Sequence, residues 1–191
     1  MKETIKNLAK AFIGESQARN RYSFYAKKAQ KEGYEQINEI FLLTAENERE
    51  HASWLLKLIN QLKEDGNDIV VEAEAPTTLS DKTEENLKAA IRGENYEQTK
   101  IYPEFAVMAE KEGLIDIAER LRAIAQAEKH HEERFKKLLS QIQNKTVFEK
   151  KEEVAWVCRK CGYVHNGKTP PQECPSCGHE KNFFEIKCET Y

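Results

Sequence analysis

Residues 31–51, KEGYEQINEIFLLTAENEREH, align without a gap with residues 111–131, KEGLIDIAERLRAIAQAEKHH, at a constant offset of 80. Each copy passes a glycine, runs through apolar residues at helical spacing and closes on Glu-x-x-His: Glu48/His51 and Glu128/His131. Positions i and i+3 lie on one helix face, so carboxylate and imidazole can reach the same point. With 5 His in 191 residues, a glutamate would meet a histidine three places on at a rate of about 5 in 191, and two such pairs at repeat-equivalent places are not expected by chance. The stretch predicts two helical hairpins, each turning an ion-binding face inward.

Outward from this repeat the helical period continues. Residues 3–31 carry Ile5, Leu8, Ala9, Phe12, Ile13, Tyr22, Tyr25, Ala26 and Ala29 near a 3.6 spacing, and Gly33 stops the helix. A second helix is expected over residues 36–64, ending at Gly66. The stretch from Asn67 to Leu79 holds Pro76 and β-branched residues without a helical period. Ser80 or Asp81 is a candidate N-cap for a third helix running to about Glu112, and Gly113 is another stop. A fourth helix follows from Leu114 to Gln143. Four helices joined short–long–short describe an all-α four-helix bundle with one long crossover, the ferritin-like connectivity.

The helical faces carry a metal constellation. Glu15 and Glu94 sit at equivalent places on helices one and three, so each of the four helices brings a carboxylate and two bring a histidine as well. One Glu from each of two helices plus Glu-x-x-His from the other two is the di-iron carboxylate pattern of helical bundles. Carboxylate and imidazole donors suit iron or manganese, with coordination positions left for oxygen chemistry. Gly14-Glu15 matches Gly93-Glu94 at an offset of 79, whereas Tyr22 matches Tyr102 at 80. One extra residue therefore lies between Glu94 and Tyr102, and Pro103 removes an N–H just beyond it. A π-type bulge absorbs one residue, so helix three is expected to be irregular there and to turn Glu97 toward the metals. Glu97 is a candidate seventh ligand, because its repeat counterpart is the small Ala18. Tyr22 and Tyr102 are candidates to hydrogen-bond ligand carboxylates. His130 points about 100° from His131 and is not expected to ligate. Glu46, Glu50, Glu132 and Glu133 read as surface charge.

The cysteines mark a second unit. All five fall in the last 34 residues, as Cys158-x-x-Cys161, Cys174-x-x-Cys177 and a lone Cys188. Two Cys-x-x-Cys pairs separated by 12 residues read as a four-thiolate metal site rather than as disulfides. Gly162 and Gly178 follow the second cysteine of each pair, where a glycine lets backbone N–H groups approach the sulfurs. Cys188 reads as a buried or incidental thiol. The expected division is residues 1–145 for the bundle and 146–191 for the linker and cysteine unit.

Composition narrows the function classes. Lys+Arg 30 against Asp+Glu 33 gives a net charge of -3, so no basic excess exists to hold a phosphate backbone, and no nucleic-acid partner is expected. Mean hydropathy is -0.78, no apolar run approaches the roughly 18 residues needed to span a bilayer, and no membrane partner is expected. The N-terminus is amphipathic rather than a secretory signal, which points to the cytoplasm.

Taken together, Glu15, Glu48-Arg-Glu-His51, Gly93-Glu94-Asn-Tyr-Glu97, Tyr102-Pro-Glu-Phe and Glu128-Lys-His-His131 resemble the rubrerythrin family. The unit Trp156-Val-Cys158-Arg-Lys-Cys161-Gly-Tyr163 with Cys174-Pro-Ser-Cys177-Gly resembles that family's small C-terminal rubredoxin-like domain. The resemblance implies a non-haem di-iron peroxidase that reduces hydrogen peroxide to water with electrons from NAD(P)H. A rubredoxin or a separate NAD(P)H-dependent reductase would deliver them, and the working unit would be a head-to-tail homodimer. It implies two Fe ions on Glu15, Glu48, His51, Glu94, Glu97, Glu128 and His131, and one Fe on Cys158, Cys161, Cys174 and Cys177, with zinc or manganese as substitutes. Glu97 would join a redox-linked ligand exchange with His51. Helix arithmetic asks for the dimer too. Glu128 and His131 lie some 12–15 residues before the end of helix four, roughly 20 Å, so a chain's own cysteine unit starts far from its own carboxylates. Trp156, Tyr163 and Phe183 are candidates for the inter-chain contact. Competing readings are a ferroxidase or iron-handling protein, a dioxygen reductase, and a helical scaffold with a structural zinc ribbon.

Overall fold

A computed structural model describes residues 2–64 and 66–190. Its order is α1 (Glu3–Lys31), α2 (Glu35–Leu62), α3 (Thr83–Tyr96), a π-helical turn (Glu97–Ile101), α4 (Tyr102–Lys111), α5 (Ile115–Gln143), β1 (Val154–Cys158), β2 (Val164–Gly167), a 3₁₀ turn (Lys181–Phe183) and β3 (Phe184–Ile186). The π turn passes directly into α3 and α4, so the three form one interrupted third rod of a four-helix bundle. The second helix ends at Leu62 rather than near Gly66, and the described residues from there to Thr83 cross the bundle without helix or strand.

The repeat is visible in the turns. Tyr34 N–H reaches Ala29 O at 2.9 Å and Gly33 N–H reaches Gln30 O at 3.0 Å; Leu114 and Gly113 repeat the pair onto Ala109 and Glu110. These Schellman closures use the left-handed backbone of Gly33 and Gly113, at φ +78° and +76°. The helix starts are capped across the repeat rather than locally. Neither Ser80 nor Asp81 caps α3; its Thr83 N–H donates to Glu32 at the end of α1. Reciprocally, Glu3 and Thr4 N–H donate to Glu112 Oε1 and Oε2 at 2.7 and 3.1 Å. A carboxylate at a helix N-terminus satisfies orphan donors and complements the dipole. Glu112→Ala is accordingly expected to cost about 1 kcal/mol, read as a lower urea midpoint at an unchanged slope.

Two apolar clusters fill the bundle, one on each side of a buried polar layer. One contains Leu8, Leu55, Tyr102, Ala106 and Leu121; the other, toward the turn at Gly33, contains Tyr22, Tyr25, Phe41, Leu87 and Phe135. The second is aromatic, with Phe41 and Phe135 centroids 5.1 Å apart and Tyr22 edge-on to Phe135 at 5.4 Å. The crossover is pinned by Tyr25 Oη donating to Thr78 O at 2.7 Å and by Ile69 and Val71 packing on the first cluster.

The cysteine unit has its own small core of Trp156, Phe184, Cys158 and Cys174. Its three strands are antiparallel in the order β2-β1-β3. Trp156 is 1% exposed and donates to Gly167 O at 2.9 Å, so it belongs to that core and is not available as a contact for another chain. Tyr163 and Phe183 are half-buried. The unit packs against the Gly33 end of its own bundle. Arg159 bridges Glu39 of α2 and Glu185, Phe148 of the linker stacks on Tyr34, and Asn182 lies against Gly33.

Candidate metal centres

The polar layer between the two apolar clusters is built by all four rods. Glu15 on α1, Glu48 on α2, Glu94 on α3 and Glu128 and His131 on α5 are each at most 3% exposed, and His51 on α2 is largely buried. Their donor atoms fall into two four-residue groups, Glu15/Glu48/His51/Glu128 and Glu48/Glu94/Glu128/His131, each with its atoms within 4.8 Å of one another. The groups share Glu48 and Glu128. Glu128 Oε1 is 2.8 Å from His51 Nδ1, and its Oε2 is 2.8 Å from His131 Nδ1. Two donor sets joined by two shared carboxylates form the scaffold of a two-ion site.

The outer oxygens are already taken. Tyr22 Oη donates to Glu94 Oε1 at 2.5 Å, and Tyr102 Oη donates to Glu15 Oε1. Each tyrosine thus holds the carboxylate of the opposite rod. The inward atoms Glu15 Oε2, Glu94 Oε2, Glu48 Oε1, both oxygens of Glu128 and His131 Nδ1 are buried and make no well-directed hydrogen bond among the described residues; what Glu48 Oε1, Glu94 Oε2 and Glu128 meet are histidine Nδ1 atoms at 2.8–3.6 Å. Unsatisfied buried oxygens are costly unless a cation takes their lone pairs. The layer therefore fits a pair of divalent or trivalent metal ions, and its carboxylate and imidazole donors fit iron.

Glu97 lies in the π turn, as the extra residue in the repeat requires, and Tyr102 N–H reaches back to Glu97 O to close that turn. Its carboxylate lies outside both groups: Glu97 Oε1 is 3.8 Å from where a Cβ on Gly14 would stand. It borders a cleft of about 340 Å³ between α1, the third rod and crossover residues 72–76, shared with Gly14, Tyr102 and Pro76. His130 joins neither group, and Glu46, Glu50 and Glu133 are not buried. Glu132, read from the sequence as surface charge, is 4% exposed. It accepts from Asn95 Nδ2 and Gln98 Nε2 at 3.0 and 3.2 Å, with Lys136 Nζ at 2.6 Å. A glutamate beside a ligand histidine carries no sequence signal that separates this burial from solvent exposure.

Charge in the metal-free layer is unbalanced. Burial, then the neighbouring carboxylates, push Glu15 and Glu97 well above the usual carboxylate range, and burial with Glu48 does the same to Glu94. Burial lowers the imidazoles, but Glu128 and its neighbours outweigh it, raising His51 and pushing His131 up to about 12. Glu48 alone goes the other way. Its burial is outweighed by His131 and His51, which bring it to about 2. The five raised groups bind protons more tightly folded than unfolded. The glutamates lose stability as pH climbs above 4.5, and the histidines above 6.5. Glu48 contributes fully above 4.5 and is constant over that range. The thermal midpoint of the metal-free protein is expected to fall between about pH 5 and about pH 8, and added iron to restore it. A midpoint that rises over this range would contradict a buried cluster.

The second centre is a pair of matched knuckles. Cys158 Sγ lies 3.7 Å from Cys177 Sγ and Cys161 Sγ 3.6 Å from Cys174 Sγ, with all four sulfurs within 4.8 Å and none in a disulfide. A tetrahedral ion with bonds of about 2.3 Å has sulfur edges of about 3.8 Å. Gly162 N–H donates to Cys158 O and Gly178 N–H to Cys174 O, at 2.8 and 2.9 Å, on left-handed backbone at φ +78° and +71°. This brings the peptide N–H of Tyr163 onto Cys161, holding its thiol at about 6; His179 N–H reaches Cys177 in the same way, but burial and the three neighbouring sulfurs outweigh it and push that thiol up to about 12. Hydrogen bonds to sulfur stabilise thiolates for iron or zinc. Cys188 is exposed and apart from this cluster, not buried.

Comparison with known proteins matches this layout. The family description "Rubrerythrin" fits residues 6–139, and "Rubrerythrin, rubredoxin-like domain" fits residues 156–185. The chain is 63% identical to a putative rubrerythrin of Methanocaldococcus jannaschii, over 100% of this chain and 96% of that one. It is 51% identical to rubrerythrin-1 of Clostridium acetobutylicum, over 99% and 96%. A solved structure of nigerythrin in its fully reduced, all-ferrous state superposes with a TM-score of 0.63 at 29% identity, covering 96% of this chain and 86% of that one.

Proposed function

The chain belongs to the rubrerythrin family of oxidoreductases, and from that membership and the geometry of its buried layer we propose that it is a non-haem di-iron peroxidase reducing hydrogen peroxide to water. The observation that carries the reading is the pair of donor groups sharing Glu48 and Glu128 beside a cleft bordered by Glu97. Glu15, His51, Glu94 and His131 would complete the two iron sites, with Glu97 as the additional carboxylate. When bound, the irons supply the electrons and Lewis acidity that cleave an O–O bond.

The chain's own residues set the conditions. Tyr22 and Tyr102 hold the outer oxygens of Glu94 and Glu15, so the inner oxygens keep their direction. The apolar clusters above and below keep bulk water out. Glu97 stands outside both donor groups, next to Gly14 and at the edge of the cleft, and burial with the neighbouring carboxylates raises its pKa there. In this reading residues 1–145 do the chemistry and residues 146–191 bring electrons, in the cytoplasm. Among the described residues no helix is long and apolar enough to cross a membrane.

The test is anaerobic reduction followed by stoichiometric peroxide, with both iron centres watched optically. Fast reoxidation by peroxide and slow reoxidation by dioxygen support the reading. The reverse order would favour a dioxygen reductase or ferroxidase, and the lack of a thiolate-to-iron band would favour a zinc ribbon.

We also propose that electrons cross between chains of a head-to-tail homodimer, supplied by a rubredoxin or an NAD(P)H-dependent reductase. Arg159, next to Cys158, binds its own chain at Glu39. Nine residues along α2 separate Glu39 from Glu48, about 14 Å at 1.5 Å per residue. A neighbour packed antiparallel brings a cysteine unit closer. Mixing a chain lacking Cys158 and Cys161 with one lacking Glu48 and Glu128 is expected to recover activity that neither parent shows. Failure to recover, with both parents folded, would exclude inter-chain transfer.

A further inference from the structure

The π turn poses a problem of support. A π segment is a strained departure from α geometry; Thr99 and Lys100 are exposed and Glu97, Gln98 and Ile101 only half-buried as residues, so core packing alone does not fix its middle in place. Its flanks are held: Glu94 receives Tyr22, and Tyr102 reaches Glu15. If the turn relaxed toward α geometry, one residue would be squeezed out of register and Glu97 would rotate away by about 100°.

We infer that Glu132 is the positioning residue that clamps this turn and so sets where Glu97 stands. Its carboxylate is buried on α5 and accepts one bond from each side of the α-to-π step. Asn95 Nδ2, in the last turn of α3 next to Glu94, donates to Oε1 at 3.0 Å. Gln98 Nε2, inside the π turn next to Glu97, donates to Oε2 at 3.2 Å. Lys136 Nζ, 2.6 Å from Oε1, balances the charge from one helical turn away. Thr99 Oγ1 caps Asn95 O at 2.6 Å, tightening the same step. A side chain burying its carboxylate to meet two amides three residues apart ties the register of the third rod to α5, the helix that carries Glu128 and His131. The Glu132 carboxylate belongs to neither donor group and acts through the side-chain amides of Asn95 and Gln98.

The consequence for turnover rests on the peroxidase reading above; the structural role does not. Two variants of the full, iron-loaded chain test it. Glu132→Leu removes the acceptor, and Asn95→Ala with Gln98→Ala removes the donors from the other side, leaving α5 and His131 untouched. Both are expected to keep two bundle irons per chain, to raise amide hydrogen exchange of Gln98–Tyr102 at least about tenfold, and to lower kcat about tenfold with little change in KM. Unchanged exchange in both variants would overturn the clamp. So would iron loss in Glu132→Leu with a silent Asn95/Gln98 pair, since that would make Glu132 a support of His131 instead. If the wild type shows no peroxidase activity the functional reading falls, while the exchange result still decides the clamp.

Discussion

Glu128→Ala is expected to strip the bundle of its iron, and Glu48→Ala to do the same, whereas Glu97→Ala keeps both ions and loses turnover. Glu128 is fully buried, and its two oxygens face one histidine each across 2.8 Å. Removing it takes a donor from both groups at once and leaves two imidazoles without their shared anion. Loss of a mere outer partner weakens a metal site by about 10–100-fold, so loss of a carboxylate common to both ions should exceed about 100-fold. Glu97 stands outside both groups, at Gly14 and the cleft, so its loss should leave iron content near wild type and cut turnover about 100-fold. Iron per chain and peroxide consumption measure both effects. Far-UV circular dichroism and a single cooperative thermal transition of the metal-free variant answer the objection that Glu128→Ala merely unfolds; some loss of heat stability is expected, because two buried imidazoles lose their shared anion. Equal metal loss in all three variants would end the special role given to Glu97.

Cys158→Ser with Cys161→Ser should abolish NAD(P)H-driven turnover while sparing single-turnover reoxidation of the reduced bundle by peroxide. The cysteine unit has a core of only a few side chains, two of them the ligands Cys158 and Cys174. A unit that small depends on its metal to stay folded. The bundle has two larger cores of its own, and its contacts with the unit are peripheral: the Arg159–Glu39 pair, the Tyr34–Phe148 stack and Asn182 at Gly33. The expected result is loss of the thiolate-to-iron absorption, two irons remaining in the bundle, a fall in reductase-coupled rate of at least about 100-fold, and a single-turnover rate within about twofold of wild type. A single-turnover rate that falls in parallel would mean that the cysteine unit shapes the bundle site itself.

The sequence by itself determined the helices, their glycine stops, the kinds of donor and the place of the irregular turn. Each is a local record. An apolar residue every three to four places marks an inward face, and a repeat offset that slips from 79 to 80 between Glu94 and Tyr102 leaves one residue that only a bulge can absorb. The two Cys-x-x-Cys-Gly knuckles are local in the same sense. What only the tertiary structure decided is which partner each group meets. That Tyr22 holds Glu94 and Tyr102 holds Glu15, crosswise, depends on the rotation and depth of two rods 72 and 87 residues apart. The caps on α1 and α3 come from Glu112 and Glu32 rather than from Ser80 or Asp81, because the start of each helix lies against the end of the opposite hairpin. Trp156 turned inward because the cysteine unit has so few side chains with which to fill a core. Glu132 shows the limit most sharply: a charged side chain is buried only if its partners are in place, and Asn95 and Gln98 reach it from another helix. Apolar periodicity is written along one chain segment, but the satisfaction of a buried charge is a property of several segments packed together.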